Sequence, residues 1–224
     1  MRRRALPLAS VLITVLAGAC AKQAPMVSAE CVTPDAQLAR LLDRYRALPT
    51  TGCEGDCEQV RQGIELLGLA CPAHVPTMEA NAVVAFEAGR PLVAQQLLDL
   101  VLAQPGSHAS AAVLRARIAL DDGNLPYASQ LVSDQIKLSP AYADLHEVAG
   151  SVAYFERKFE VAEASLRRAE RLGAPSWRVA YHLGLIREAQ ERRDEAIALY
   201  TKALEGRPDW APARDRLAAL KASR

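Results

Sequence analysis

The feature that most constrains this chain is a period of 34 residues that sets in near Val75. Small residues recur at Ala82, Ala116, Gly150 and Gly184, and a second series falls at Ala94, Ala128, Ala162 and Ala196. Larger residues follow in phase at Leu98, Val132, Leu166 and Tyr200, with Val101, Gln135, Ala169 and Ala203 three positions further on, so these offsets trace one helical face. Pro105, Pro140, Pro175 and Pro208 close each unit within one residue of the same phase, where proline cannot continue a helix. Gly89 and Gly123 end the first helix of two units, and Pro91 and Pro126 open the second. A unit of this length is a helical hairpin that cannot bury its apolar stripe alone and must stack on its neighbours. Composition agrees: the chain is 50% hydrophobic but only 5% aromatic, which favours closely approaching helices over strands.

The pattern resembles the tetratricopeptide repeat (TPR), in which small residues let the two helices of a unit cross closely. The fullest unit, residues 177–210, carries Leu183, Gly184, Ala196, Tyr200, Ala203 and Pro208 at the family's positions, but Arg187 where an aromatic is usual. Units at 75–108, 109–142 and 143–176 keep the same register, and Val60, Ile64, Leu67 and Pro72 preserve the second half of a diverged first repeat at 34–74. Residues 211–224 read as a capping helix, with Leu217 and Leu220 inward and Arg214, Arg216 and Lys221 outward. The fold expected is therefore all-α: a TPR-like solenoid of antiparallel helix hairpins with a disulfide-stapled N-terminal hairpin and a C-terminal capping helix.

The first residues have the form of an export signal: Arg2, Arg3 and Arg4, then an apolar stretch from Ala5 to Ala19, then Cys20. That stretch is short of the roughly 20 residues a spanning helix needs. Leu16, Ala17, Gly18, Ala19 and Cys20 resemble the lipobox of bacterial lipoproteins, although Ala17 stands where the best matches carry Leu. The resemblance implies a leader at 1–19, acylation of Cys20 as the mature N-terminus, and a polar tether over 20–33 that holds the domain to the lipid bilayer. Ala21 is not the Asp that often retains such proteins in the inner membrane, so the expected location is the outer membrane, facing the periplasm. The alternative is an ordinary secretory leader cut near Ala19. Loss of the three leader arginines turns a net charge of +1 slightly negative, which gives no reason to expect nucleic acid as a partner.

Cys31, Cys53, Cys57 and Cys71 follow, and export makes disulfides the default. Two amphipathic segments lie among them, Pro34 to Leu48 and Asp56 to Ala70, which would pack as an antiparallel hairpin. In that geometry Cys31 meets Cys71 while Cys53 and Cys57 share the turn. A redox-active pair is disfavoured because the spacing is C-x3-C and no βαβ pattern surrounds it. A metal site is disfavoured by the scattered spacing.

In tetratricopeptide proteins the first helix of each unit lines a concave, partner-binding face. The resemblance carries that lining onto Glu79, Val83, Phe86 and Glu87, then Val113, Arg117, Leu120 and Asp121. It continues with Asp144, Glu147, Ser151, Tyr154 and Phe155, and then Arg178, Tyr181, Leu185 and Glu188. Acids outnumber bases in this set, which suits an apolar or basic segment of a protein or peptide partner better than a terminal carboxylate. The competing reading makes the aromatic residues inter-hairpin core and the acids a solvated rim.

No P-loop, H-E-x-x-H, G-x-S-x-G or dinucleotide fingerprint occurs, and His74, His108, His146 and His182 fall in separate units. The expectation is a non-enzymatic protein without cofactor or metal, a membrane-anchored adaptor or assembly factor of the bacterial envelope. Lipoproteins of comparable architecture include the pilotins of secretin and pilus systems. The alternatives are a regulatory subunit of an outer-membrane or peptidoglycan-enzyme complex and, further off, a periplasmic thiol redox protein.

Overall fold

The structure, a computed structural model, describes residues 31–48 and 55–222. In chain order these form α1 (Pro34–Ala47), α2 (Asp56–Ala70), α3 (Val75–Glu87), α4 (Pro91–Leu102), α5 (Ala109–Asp121), α6 (Leu125–Leu138), α7 (Ala143–Phe155), α8 (Phe159–Arg171), α9 (Ser176–Ala189), α10 (Arg193–Gly206) and α11 (Ala211–Ala222). Among the described residues there is no strand, and no helix is long and apolar enough to cross a membrane. Successive helices pack as five hairpins, α1–α2 through α9–α10, and α11 covers the last. The first helices α1, α3, α5, α7 and α9 also touch one another in sequence and form the inner layer. Each second helix packs instead on the first helix of the next hairpin. This is the TPR-like solenoid expected from the period.

The small residues sit where the two helices of a hairpin cross. Ala82, Ala94, Ala116, Ala128, Ala162 and Ala196 are fully buried. A Cβ added at Gly150 would lie 2.7 Å from Leu166 Cγ and 3.2 Å from the Ala162 carbonyl oxygen, so α7 and α8 approach as closely as a glycine permits. The larger in-phase residues Leu98, Val132, Leu166 and Tyr200 fill the adjoining space. Gln135, polar at a phase otherwise apolar, is buried because its Oε1 accepts the His108 backbone N–H at 3.2 Å at the start of α5.

The hairpin turns repeat as regularly as the core. The residue closing each of α3, α5, α7 and α9 has left-handed backbone: Gly89 at φ 71°, Gly123 at 74°, Arg157 at 60° and Glu191 at 60°. In each case the next N–H bonds back to the carbonyl five residues earlier, from Arg90 to Ala85, Asn124 to Ala119, Lys158 to Ala153 and Arg192 to Arg187. These are Schellman closures, which satisfy carbonyls that the helix end leaves open.

Cys31 and Cys71 are disulfide-bonded with Cα atoms 5.2 Å apart, stapling the N-terminal hairpin as expected. The pairing of Cys53 with Cys57 involves Cys53, and the anchor involves Cys20; both lie outside the described residues. The capping helix differs from expectation in detail. Ala213 is its fully buried residue, while Leu217 and Leu220 are half-buried, and Arg216 is drawn inward to Glu188 at 2.9 Å. With no further described hairpin behind it, α11 covers the solenoid with one short side chain and lets its longer ones lie along the edge.

Candidate protein-binding surface

The residues expected to line α3, α5, α7 and α9 fall into three groups in the structure. The first is an ion-pair relay running along the inner helices. Glu147 of α7 is buried, yet it accepts Arg178 Nε from α9 at 2.5 Å and lies 3.5 Å from His182 Nε2 and 3.6 Å from Arg117 Nη2 of α5. Arg178 also holds Asp144. Burial by itself would raise the Glu147 carboxyl, but the hydrogen bond and charge of His182 and the charge of Arg178 carry it below the usual carboxylate value. Two helices back, Glu79 of α3 accepts the Ser110 hydroxyl at 2.7 Å and lies 3.7 Å from His108. The acidic excess counted along the lining is thus largely compensated: Glu79, Asp144, Glu147 and Glu188 all have donors.

The second group consists of side chains shared with the core. Phe86, Leu120 and Tyr154 are half-buried against the clusters beneath their hairpins. Tyr181 packs on Trp210 with ring centroids 4.5 Å apart and on Tyr200 at 5.7 Å. Its principal partners therefore lie in the last hairpin and at the start of the cap. Tyr200 is fully buried and donates its hydroxyl to Glu188 Oε2 at 2.6 Å; burial, then that bond and the Glu188 charge, push its ionisation far above the usual tyrosine range.

The third group faces outward from this layer. Phe155 is 53% exposed and Val83 40%. Phe155 borders a small recess of about 130 Å³ between α7 and α9, lined also by Gly150, Ser151, Tyr154, Leu185 and His182. Phe155 lies one residue past the phase shared by Phe86, Leu120 and Tyr154, and this offset is the sequence signal that separates exposed lining from core.

Arg187 takes the place where the repeat pattern favours an aromatic. Its side chain is only 13% exposed and bridges hairpins, donating to Glu163 of α8 at 2.7 Å and to Glu195 of α10 at 3.2 Å. The histidines serve neighbouring structure. His74 bonds Thr77 Oγ1 at 2.6 Å, His146 Nε2 lies 2.9 Å from the Pro140 carbonyl oxygen, and His182 belongs to the Glu147 relay.

The five hairpins and the covering helix present one continuous inner layer of first helices. Comparison with known proteins agrees with this reading of the fold. Residues 148–210 match the tetratricopeptide repeat model. No curated protein matches the sequence. Among solved structures, the chain is similar to TTC0263, a thermophilic TPR protein of Thermus thermophilus, with TM-score 0.68 and 21% identity over 84% of this chain and 99% of the other. It is also similar to pilF of Pseudomonas aeruginosa, with TM-score 0.63 and 18% identity over 84% and 88%. A tetratricopeptide repeat protein of Parabacteroides merdae aligns with TM-score 0.62 and 15% identity over 84% and 78%. At these identities the likeness is one of fold.

Proposed function

We propose that this chain is an adaptor or assembly factor of the bacterial cell envelope, anchored to the outer membrane through acylated Cys20 and capturing a protein segment on its inner face. The observation that carries the binding part is the recess beside Phe155. A large aromatic stands more than half exposed there, while the charged residues around it are already engaged with one another. An apolar side chain of a partner entering the recess would cover Phe155 and break none of those pairs. The leader pattern and Cys20 support the anchored location. The continuous inner layer of α3, α5, α7 and α9 gives an extended segment several units to follow.

The test is co-purification from envelope extracts, with bound proteins quantified by mass spectrometry. Phe155→Asp should reduce a bound partner at least about 30-fold, the loss of an interface anchor worth ~2 kcal/mol or more, without lowering the melting temperature. Tyr181→Ala is the contrasting variant. It empties the contact with Trp210 and Tyr200 and should destabilise the fold by roughly 3 kcal/mol or more. Undiminished capture by a folded Phe155→Asp protein would remove the recess from the binding site.

A further inference from the structure

The outer side of the first two hairpins carries a second surface, and it is apolar. A channel of about 420 Å³ runs between α2 and α4, walled by Leu69 and Pro72 on one side and by Val93 and Leu100 on the other. The two charges that line it, Glu65 and Arg90, are paired with each other. On the crests beside it, Leu66 and Leu69 lie one turn apart on α2, and Leu92 and Leu100 two turns apart on α4. Leu69 is 78% exposed and Leu92 72%, so these side chains stand out into solvent instead of lining a closed pocket. The corresponding channel two hairpins further on, between α6 and α8, is lined in large part by polar residues, Ser129, Ser133, Lys137, Glu156 and Ser165. Of these two outer channels, the one at the N-terminal end is the apolar one.

That end is also where the chain preceding the solenoid is attached. Cys31 is bonded to Cys71, and the next residue, Pro72, belongs to the channel wall. Cys20 precedes Cys31 by eleven residues, and a chain of that length spans no more than ~40 Å at full extension. A bilayer that holds acylated Cys20 therefore always lies within that distance of the Pro72 end of the channel, which gives it a high effective concentration there. The last hairpin is about four helix spacings, or ~40 Å, further along the stack. The chemistry of the channel suits the same neighbour. Protruding leucines need a partner that can deform around them, and a fluid bilayer takes up apolar side chains about 5–10 Å deep at its headgroup boundary. The paired Glu65 and Arg90 add no net charge that would steer a charged protein segment to this side.

We infer that the outer side of α2 and α4 docks on the lipid bilayer that holds the Cys20 anchor, with Leu66, Leu69, Leu92 and Leu100 entering the headgroup boundary. This rests on the anchored location proposed above and adds an orientation to it. The first two hairpins lie against lipid, and the inner layer is left open to a partner.

Photocrosslinking tests it on the full-length protein, purified from bacterial membranes and reconstituted in vesicles of phosphatidylethanolamine and phosphatidylglycerol. The probes are Leu69→p-benzoylphenylalanine and Leu92→p-benzoylphenylalanine, with Val161→p-benzoylphenylalanine in the α6–α8 channel as control; all three positions are exposed, so the fold should tolerate them. Irradiation should attach phospholipid at positions 69 and 92 at least about 10-fold more than at position 161. Leu92→Asp combined with the probe at position 69 should cut its lipid labelling at least about 5-fold with the helical circular dichroism unchanged, and Leu92→Gln replaces it if the acid impairs folding. The intact mass reports acylation of Cys20 separately. If the acyl chains are absent, the anchoring reading fails, and the probes are read on protein coupled through Cys20 to a maleimide-bearing lipid, which supplies the tether and still tests the docking face. Equal lipid labelling at positions 69 and 161 overturns the inference. Crosslinks from position 69 to a second copy of the chain, or to another protein when the same probes are irradiated in cells, overturn it as well.

Discussion

At Gly184 an added methyl group would lie 2.6 Å from Cε1 of Tyr200, and that ring is fully buried with its hydroxyl tied to Glu188. The ring cannot swing aside, so the strain falls on the helix pair. Gly184→Ala should lower stability by about 1–3 kcal/mol, read as a lower urea midpoint with unchanged slope. Glu147 makes a different residue-scale case. Its folded carboxyl titrates below the ordinary glutamate value of 4.5, so the relay contributes stability that is fully present above that value. The contribution is lost as pH falls from about 4.5 through the depressed folded value. Chemical denaturation of the wild type between about pH 7 and pH 3 should show this loss. Glu147→Gln should be less stable at neutral pH and should flatten that part of the profile, and a parallel profile for the two proteins would contradict the assignment. Neither the burial of Glu147 nor the bridging role of Arg187 could be read from the sequence. Both depend on partners distant in the chain, such as Arg117, Arg178 and Glu163, that only the stacking of hairpins brings together.

Across elements, the same turn is built four times with different residues. Positions 89, 123, 157 and 191 all have left-handed backbone, but only the first two are glycine. A side chain in that region costs on the order of 1 kcal/mol relative to glycine. Glu191→Gly should therefore raise the melting temperature slightly, by up to about 1 kcal/mol of stability. Arg157 is a poorer choice because its guanidinium lies 5.5 Å over the Phe159 ring and removal would forfeit that contact. A drop in stability for Glu191→Gly would mean that the turn is held by something other than its backbone geometry. The glycines at 89 and 123 announced their turns, whereas those at 157 and 191 were legible only through the period, since neither Arg nor Glu signals a left-handed residue.

For the whole molecule, the remaining prediction concerns attachment. Cys20→Ser should shift the protein from the membrane fraction to the soluble periplasmic fraction or leave an uncleaved precursor. Unchanged fractionation together with unchanged mass would end the lipoprotein reading. What the sequence determined by itself is the repeating element: a 34-residue period of small, large and proline positions admits one local solution, a close-crossing hairpin, and hairpins with one apolar stripe each must stack. It also carried the Cys31–Cys71 staple, because the flanking helices bring those two ends together whatever lies outside them. The division of the inner face into compensated charge, shared core and exposed surface was decided only by the tertiary structure. Phe86, Leu120 and Tyr154 share one position of the period and Tyr181 shares that of Glu79, Val113 and Glu147, yet what each one covers depends on the next hairpin, and for Tyr181 on Trp210 at the cap. Phase along a helix fixes the direction of a side chain, whereas its exposure is set by a neighbour that the local sequence does not encode.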